Sequence, residues 1–88
     1  PMDRTLLDLL VCPRTHQPLD LLDARGLARV NAAIADAELA RADGTPQRDP
    51  LRQALVTRDG GCVYRIDDGI PVLLADESLD TRALELRG

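Results

Sequence analysis

The chain has no tryptophan and no phenylalanine, and Tyr64 is its one aromatic residue among 88. An interior without other rings must be filled by Leu, Val, Ile and Ala, each of which buries less area than an aromatic side chain. The same scarcity removes the stacking platforms that hold single-stranded nucleic acids. Positive charge is also short: 11 basic residues against 15 acidic ones leave a formal charge of −4, the wrong sign for neutralising phosphates. Direct binding of RNA or DNA is not expected, on both grounds. No apolar run approaches the ~20 residues of a membrane-spanning helix, and the N-terminus lacks the basic, apolar, then small-residue order of a secretory leader. Pro1 precedes Met2, which reads as the natural start. Cysteine is limited to Cys12 and Cys62, too few and too far apart for a disulfide framework. Together these features predict a cytosolic protein.

What is present fits one domain over residues 1–88. A chain this short buries roughly 60–65% of its unfolded surface, which leaves a thin core and little volume for a pocket of convergent polar groups. The most informative stretch is Val63–Leu74, two apolar runs folded about Asp68-Gly69. Asp-Gly between β-branched residues is a strong hairpin signal, because glycine accepts the positive φ of a tight turn. Pro71 sits two residues into the second run and cannot donate a ladder hydrogen bond, so that strand is predicted to be an edge or to carry a bulge. An apolar edge invites a cover, from this chain or from another protein.

Elsewhere Asp3 caps a predicted helix over Arg4–Leu10, with Leu6, Leu7 and Leu10 on one stripe and Pro13 ending it. Arg14–Pro18 reads as a tight connection and Leu19–Leu22 as a short strand. Asn31 is the predicted cap of a helix from Ala32 to Ala42, with Gly44 as its stop. Asp49-Pro50 is expected to open a helical turn through Gln53. Leu55–Thr57, Cys62–Ile66 and Ile70–Leu74 form a meander, with Asp59-Gly-Gly61 as the first turn, and Asp80 caps a last turn through Leu84 and Leu86. The fold class is α+β: a small antiparallel sheet of three to four strands with helices packed on one side.

Candidates for chemistry are few. Asp67-Asp68 is an adjacent carboxylate pair, but such acids in a hairpin usually bond their own backbone. No nucleophile–base pair or glycine-rich phosphate loop accompanies it, so the chain is not expected to be an enzyme. Cys12 and Cys62 support a second reading, redox or metal chemistry, if the fold brings them together. Against it, Cys12 follows the end of the predicted first helix, where the dipole disfavours a thiolate.

Met2–Leu10, Cys12-Pro13, Pro18-Leu19 and Tyr64–Leu74, with its Tyr-x-Ile-x-Asp-Gly-Ile-Pro-Val-Leu-Leu pattern, together resemble the methyltransferase-activator subunit family (Trm-one-twelve-like), in its short bacterial branch. Residues 23–54 then correspond to a helical insertion. The resemblance implies a small non-catalytic subunit that covers an apolar patch on a methyltransferase acting on tRNA, ribosomal RNA or a translation factor, and adds a strand to its sheet. It assigns partner contact to Tyr64, Ile70, Pro71, Val72 and Leu73, with Asp68 and Gly69 as the structural turn. Without a partner, the same edge could pair with a second copy.

Many relatives in that family bind zinc through Cys-Pro-x-Cys and a second cysteine pair ahead of the tyrosine strand. Here Thr15 takes the place of the second cysteine. The second pair falls near Thr57 and Gly60, with Cys62 out of step. Cys12, Cys62 and His16 supply at most three donors where a structural zinc site takes four. The expectation is a zinc-ribbon-like core without zinc, with no cofactor. Thr15, Pro13 and Pro18 then steady the turn by hydrogen bonding and stiffness, and the insertion enlarges the core in compensation.

Overall fold

The computed structural model describes residues 10–86, and the helix predicted over Arg4–Leu10 lies outside them up to Leu9. Strands β1 (Leu19–Leu21), β2 (Gln53–Thr57), β3 (Cys62–Asp67) and β4 (Ile70–Pro71) run in that order across an antiparallel sheet. A fifth strand, β5 (Leu79–Asp80), pairs with the opposite end of β3 from β4. The class is α+β with helix on one face, and β5 extends the sheet beyond the predicted meander. Among the described residues, no helix is long and apolar enough to cross a membrane.

The period-2 alternation of strands divides the apolar residues between two faces. On one face Ala54, Val56, Val63 and Leu79 pack against Val30 and Ile34 of helix α1 (Ala24–Ala35) and against Leu51. On the other, Leu19, Leu55, Tyr64 and Ile66 form a second cluster with Cys12, closed at its margin by Leu10, Cys62 and Leu73. The register Leu21↔Leu55↔Tyr64 and Val56↔Val63 keeps these two sets apart.

Helix α1 starts and stops earlier than predicted. Asp23, in an extended conformation, caps it by accepting a 2.7 Å hydrogen bond from Gly26 N. Asn31 lies inside the helix and reaches sideways: its Nδ2 donates to Leu51 O at 2.9 Å and its Oδ1 accepts from Leu51 N at 2.7 Å. The stop is Ala37, in the left-handed region with φ 58°. Glu38 N donates to Ala33 O and Ala37 N to Ile34 O, the paired bonds that close a helix of this kind. Gly44 instead turns a small loop in which Arg41 N and Thr45 O meet at 2.8 Å. Asp49–Arg52 forms no helical turn, and Gln53 already belongs to β2.

Candidate functional site

At the C-terminal hairpin, Asp68 and Gly69 have φ of 52° and 79° and form a two-residue loop between the paired residues Asp67 and Ile70. Two positive φ values mark the turn whose twist matches the flanking strands. Pro71 pairs opposite Ile66, and Val72 N donates to Arg65 O at 3.0 Å. Ladder geometry alternates, so the backbones of Ile70 and Val72 face β3 while those of Pro71 and Leu73 face outward. The missing proline N–H therefore falls on the open edge, where it breaks no bond.

The five residues that the resemblance assigns to partner contact divide by burial. Ile70 is 68% exposed, Pro71, Val72 and Leu73 are half-buried, and Tyr64 is 0% exposed. Leu74, which sequence reasoning left out, is 55% exposed beside them. Leu73 turns inward against the Cys12–Tyr64 cluster. Beyond it the chain leaves the edge through a 3-10 turn, Ala75–Glu77, and returns as β5. Arg65 pins that excursion, with Nη2 2.6 Å from Glu77 Oε1 and Nε 2.8 Å from Asp67 Oδ2. Burial alone would ease the proton off Arg65, but the Asp67 and Glu77 carboxylates outweigh it and raise its pKa.

The two cysteines approach one another through Tyr64. Cys12 Sγ lies 2.9 Å from the Tyr64 hydroxyl, and Cys62 also interacts with that hydroxyl. Desolvation pushes the Tyr64 phenol far up, and both thiols add to the shift. It also raises Cys62. Desolvation would raise Cys12 too, but hydrogen bonds from the Thr15 and Tyr64 hydroxyls and from the Thr15 and Arg14 backbones lower it on balance. Cys12 is nevertheless 0% exposed, so no reagent meets it without local opening.

Cys12 and Cys62 belong to two neighbouring turns. In the first, His16 N donates to Cys12 O and Cys12 N to Gln17 O. The second joins β2 to β3. Asp59 spans them: its Oδ2 accepts from Gln17 Nε2 at 3.0 Å, and its N donates to Gln17 Oε1 at 3.1 Å. Asp59 Oδ1 accepts from Thr57 Oγ1 at 2.7 Å and from Gly61 N at 2.9 Å. These bonds hold its carboxyl below the ordinary range, the Thr57 hydroxyl most. Sequence reasoning missed Gln17 and read Asp59 only as a turn former. The available signal was the Thr-x-Asp-Gly-Gly pattern, in which an aspartate bonds ahead to its own backbone.

The residues at these turns do not fit the zinc that the family resemblance implies. Among the described residues, no group of three or more His, Cys, Asp or Glu side chains converges. Thr15 and Thr57 present hydroxyls, both already hydrogen-bonded, and His16 is exposed.

The Trm112p-like protein family matches residues 3–69. A UPF0434 protein from Rhodopseudomonas palustris (strain TIE-1) is 34% identical over 77 residues, covering 88% of this chain and 77% of its own. A UPF0434 protein from Marinomonas sp. (strain MWYL1) is 35% identical over 88 residues, covering 91% and 94%. The solution NMR structure of XF2673 from Xylella fastidiosa superposes with a TM-score of 0.74 at 48% identity, covering 98% of this chain and 87% of that one. The hairpin, the paired turns and these likenesses agree: the chain belongs to the Trm112p-like protein family.

Proposed function

We propose that this chain is a non-catalytic adapter that binds a larger protein, a methyltransferase acting on tRNA, ribosomal RNA or a translation factor, through its C-terminal hairpin edge. The observation that carries the reading is Ile70, 68% exposed on a two-residue edge strand. The outward backbone there belongs to Pro71 and Leu73. An added strand finds the Pro71 carbonyl and the Leu73 amide as partners, while Ile70 and Leu74 supply exposed apolar surface. So few main-chain bonds cannot provide the whole affinity, and the apolar anchors must contribute most of it. Tyr64 acts from inside, holding β3 in place beneath the hairpin. Thiol chemistry at Cys12 and Cys62 is the weaker alternative, since Cys12 is enclosed and burial disfavours the Cys62 thiolate.

The test is affinity purification of the tagged chain from its own cells, beside an Ile70→Lys variant. The lysine lands on an exposed site, so the variant is expected to fold. A methyltransferase recovered in stoichiometric amount with the parent and reduced at least tenfold with the variant is the expected result. Equal recovery with both places the contact elsewhere. Only a second copy of the chain, retained by the parent and lost by the variant, would replace the adapter reading with a homodimer.

A further inference from the structure

We infer that the turn at residues 12–17 and the turn at residues 57–62 are clasped by a metal-independent hydrogen-bond network centred on Gln17 and Asp59. The two residues stand 42 positions apart in sequence, and they meet at two points. The Gln17 amide donates to the Asp59 carboxylate and accepts from the Asp59 backbone, at 3.0 and 3.1 Å. Such a contact fixes orientation as well as distance, since neither turn can rotate without breaking one of the bonds.

Each half of the clasp is held within its own turn. Gln17 Nε2 also donates to Thr15 Oγ1 at 3.1 Å, which fixes the amide's orientation. On the other side Asp59 Oδ1 accepts from Thr57 Oγ1 and Gly61 N, and Thr57 Oγ1 accepts in turn from Cys62 N at 3.1 Å. The carboxylate thus takes three side-chain or loop bonds besides the one its own N–H makes. Beneath the network, the Cys12–Tyr64 contact at 2.9 Å ties the first turn to β3. A metal would hold such turns through side chains converging on a point. Here Thr15, Gln17, Thr57 and Asp59 are satisfied by one another, and the Cys12 thiol is occupied with a phenol.

The sequence carries the same substitution of roles. Thr15 and Thr57 occupy places where the family resemblance would put cysteines, and both have become members of the network. Gln17 and Asp59 lie outside those places, so the clasp is not a vestige of a ligand set. It is a different solution to closing the same pair of turns.

The experiment uses the full chain. Metal content is measured on the purified protein, and melting is followed by circular dichroism with and without prolonged dialysis against EDTA. Gln17→Ala, Asp59→Ala and the double variant are melted alongside. The expected result is no stoichiometric metal and an unchanged Tm on chelation. Each single variant falls by at least about 4–8 °C, the shift that one ordinary hydrogen bond gives in a domain of this size, since each removes several bonds of the network. The double variant falls by less than the sum of the two, because the singles break a shared bond. Should Asp59→Ala fail to fold, Asp59→Asn replaces it, as an amide can still accept from Thr57 and Gly61 but repels the Gln17 NH2. Stoichiometric metal whose removal lowers the Tm overturns the inference. So do singles whose effects are absent or simply add.

Discussion

Tyr64 is where the chemistry of single residues concentrates. Its ring is the one large flat surface available to this interior, and its hydroxyl, unable to reach water, finds the Cys12 thiol. A buried hydroxyl needs a partner, and the soft Cys12 thiol satisfies it without introducing a charge. Tyr64→Phe keeps the packing and removes the bond, so it should lower stability by about 1 kcal/mol. Urea melts of parent and variant measure this directly. Native protein should also react sluggishly with a thiol reagent such as Ellman's, both thiols labelling fast only in urea. Rapid native labelling of Cys12 would contradict its enclosure. The burial of Tyr64 was legible in principle, since a chain with one aromatic has reason to spend it on the core. Its place in a motif pointed instead to the surface.

At the level of elements, the hairpin and the helix show opposite degrees of legibility. Asp68-Gly69 specifies its own turn, because few residue pairs tolerate two successive positive φ values. The boundaries of α1 were not legible, because two residues act there against type. Asn31, a good cap by composition, clamps Leu51 from mid-helix instead, and Ala37 closes the helix at φ 58°, where glycine is the usual occupant. One set of thermal melts tests both, with opposite signs. Asn31→Ala should cost about 2 kcal/mol, through two lost bonds and an unpaired Leu51 amide and carbonyl. Ala37→Gly should gain roughly 0.5 kcal/mol, as relief of left-handed strain slightly exceeds the added freedom of the unfolded chain. A destabilised Ala37→Gly variant would reject this account of the helix end.

The whole molecule is a thin sheet with apolar residues on both faces, and its ionisable groups bound the pH range in which it is stable. Asp43, Asp59 and Asp80 all sit below their ordinary 3.8, held by the Thr45 hydroxyl, the Thr57 hydroxyl and Arg82 respectively. A depressed carboxylate contributes stability that is complete above the unfolded value and lost as pH falls through the folded one. These groups are largely exposed, so each contribution is small. Cys62 and Tyr64 move the other way, raised from 9.0 and 10.0 chiefly by desolvation. A raised acid contributes stability that is complete below its unfolded value and lost as pH rises beyond it. Cys12, lowered from 9.0, opposes this, but the enclosed phenol carries the larger shift. The Tm should therefore be level from about pH 5 to 8, decline below pH 3.8, and decline more steeply above pH 10. Calorimetry across that range checks the profile, and Tyr64→Phe should flatten the alkaline limb. An alkaline limb unchanged in that variant would remove Tyr64 as its cause.

Sequence alone determined four of the five strands, the hairpin and the family, since these rest on local rules: alternation, turn chemistry and an unbroken motif from Tyr64 to Leu74. It read Asp80 as a helix cap, where β5 pairs with β3 instead. It also restricted Pro71 to an edge or a bulge, because a missing donor is tolerated only there, and the fold put it on the edge. Tertiary structure decided the rest. Gln17 meets Asp59, Asn31 meets Leu51, and Arg65 meets Glu77, each pair distant in sequence and none marked by spacing. A polar side chain can bond whatever the fold brings within about 3 Å, and only the folded chain specifies what that is.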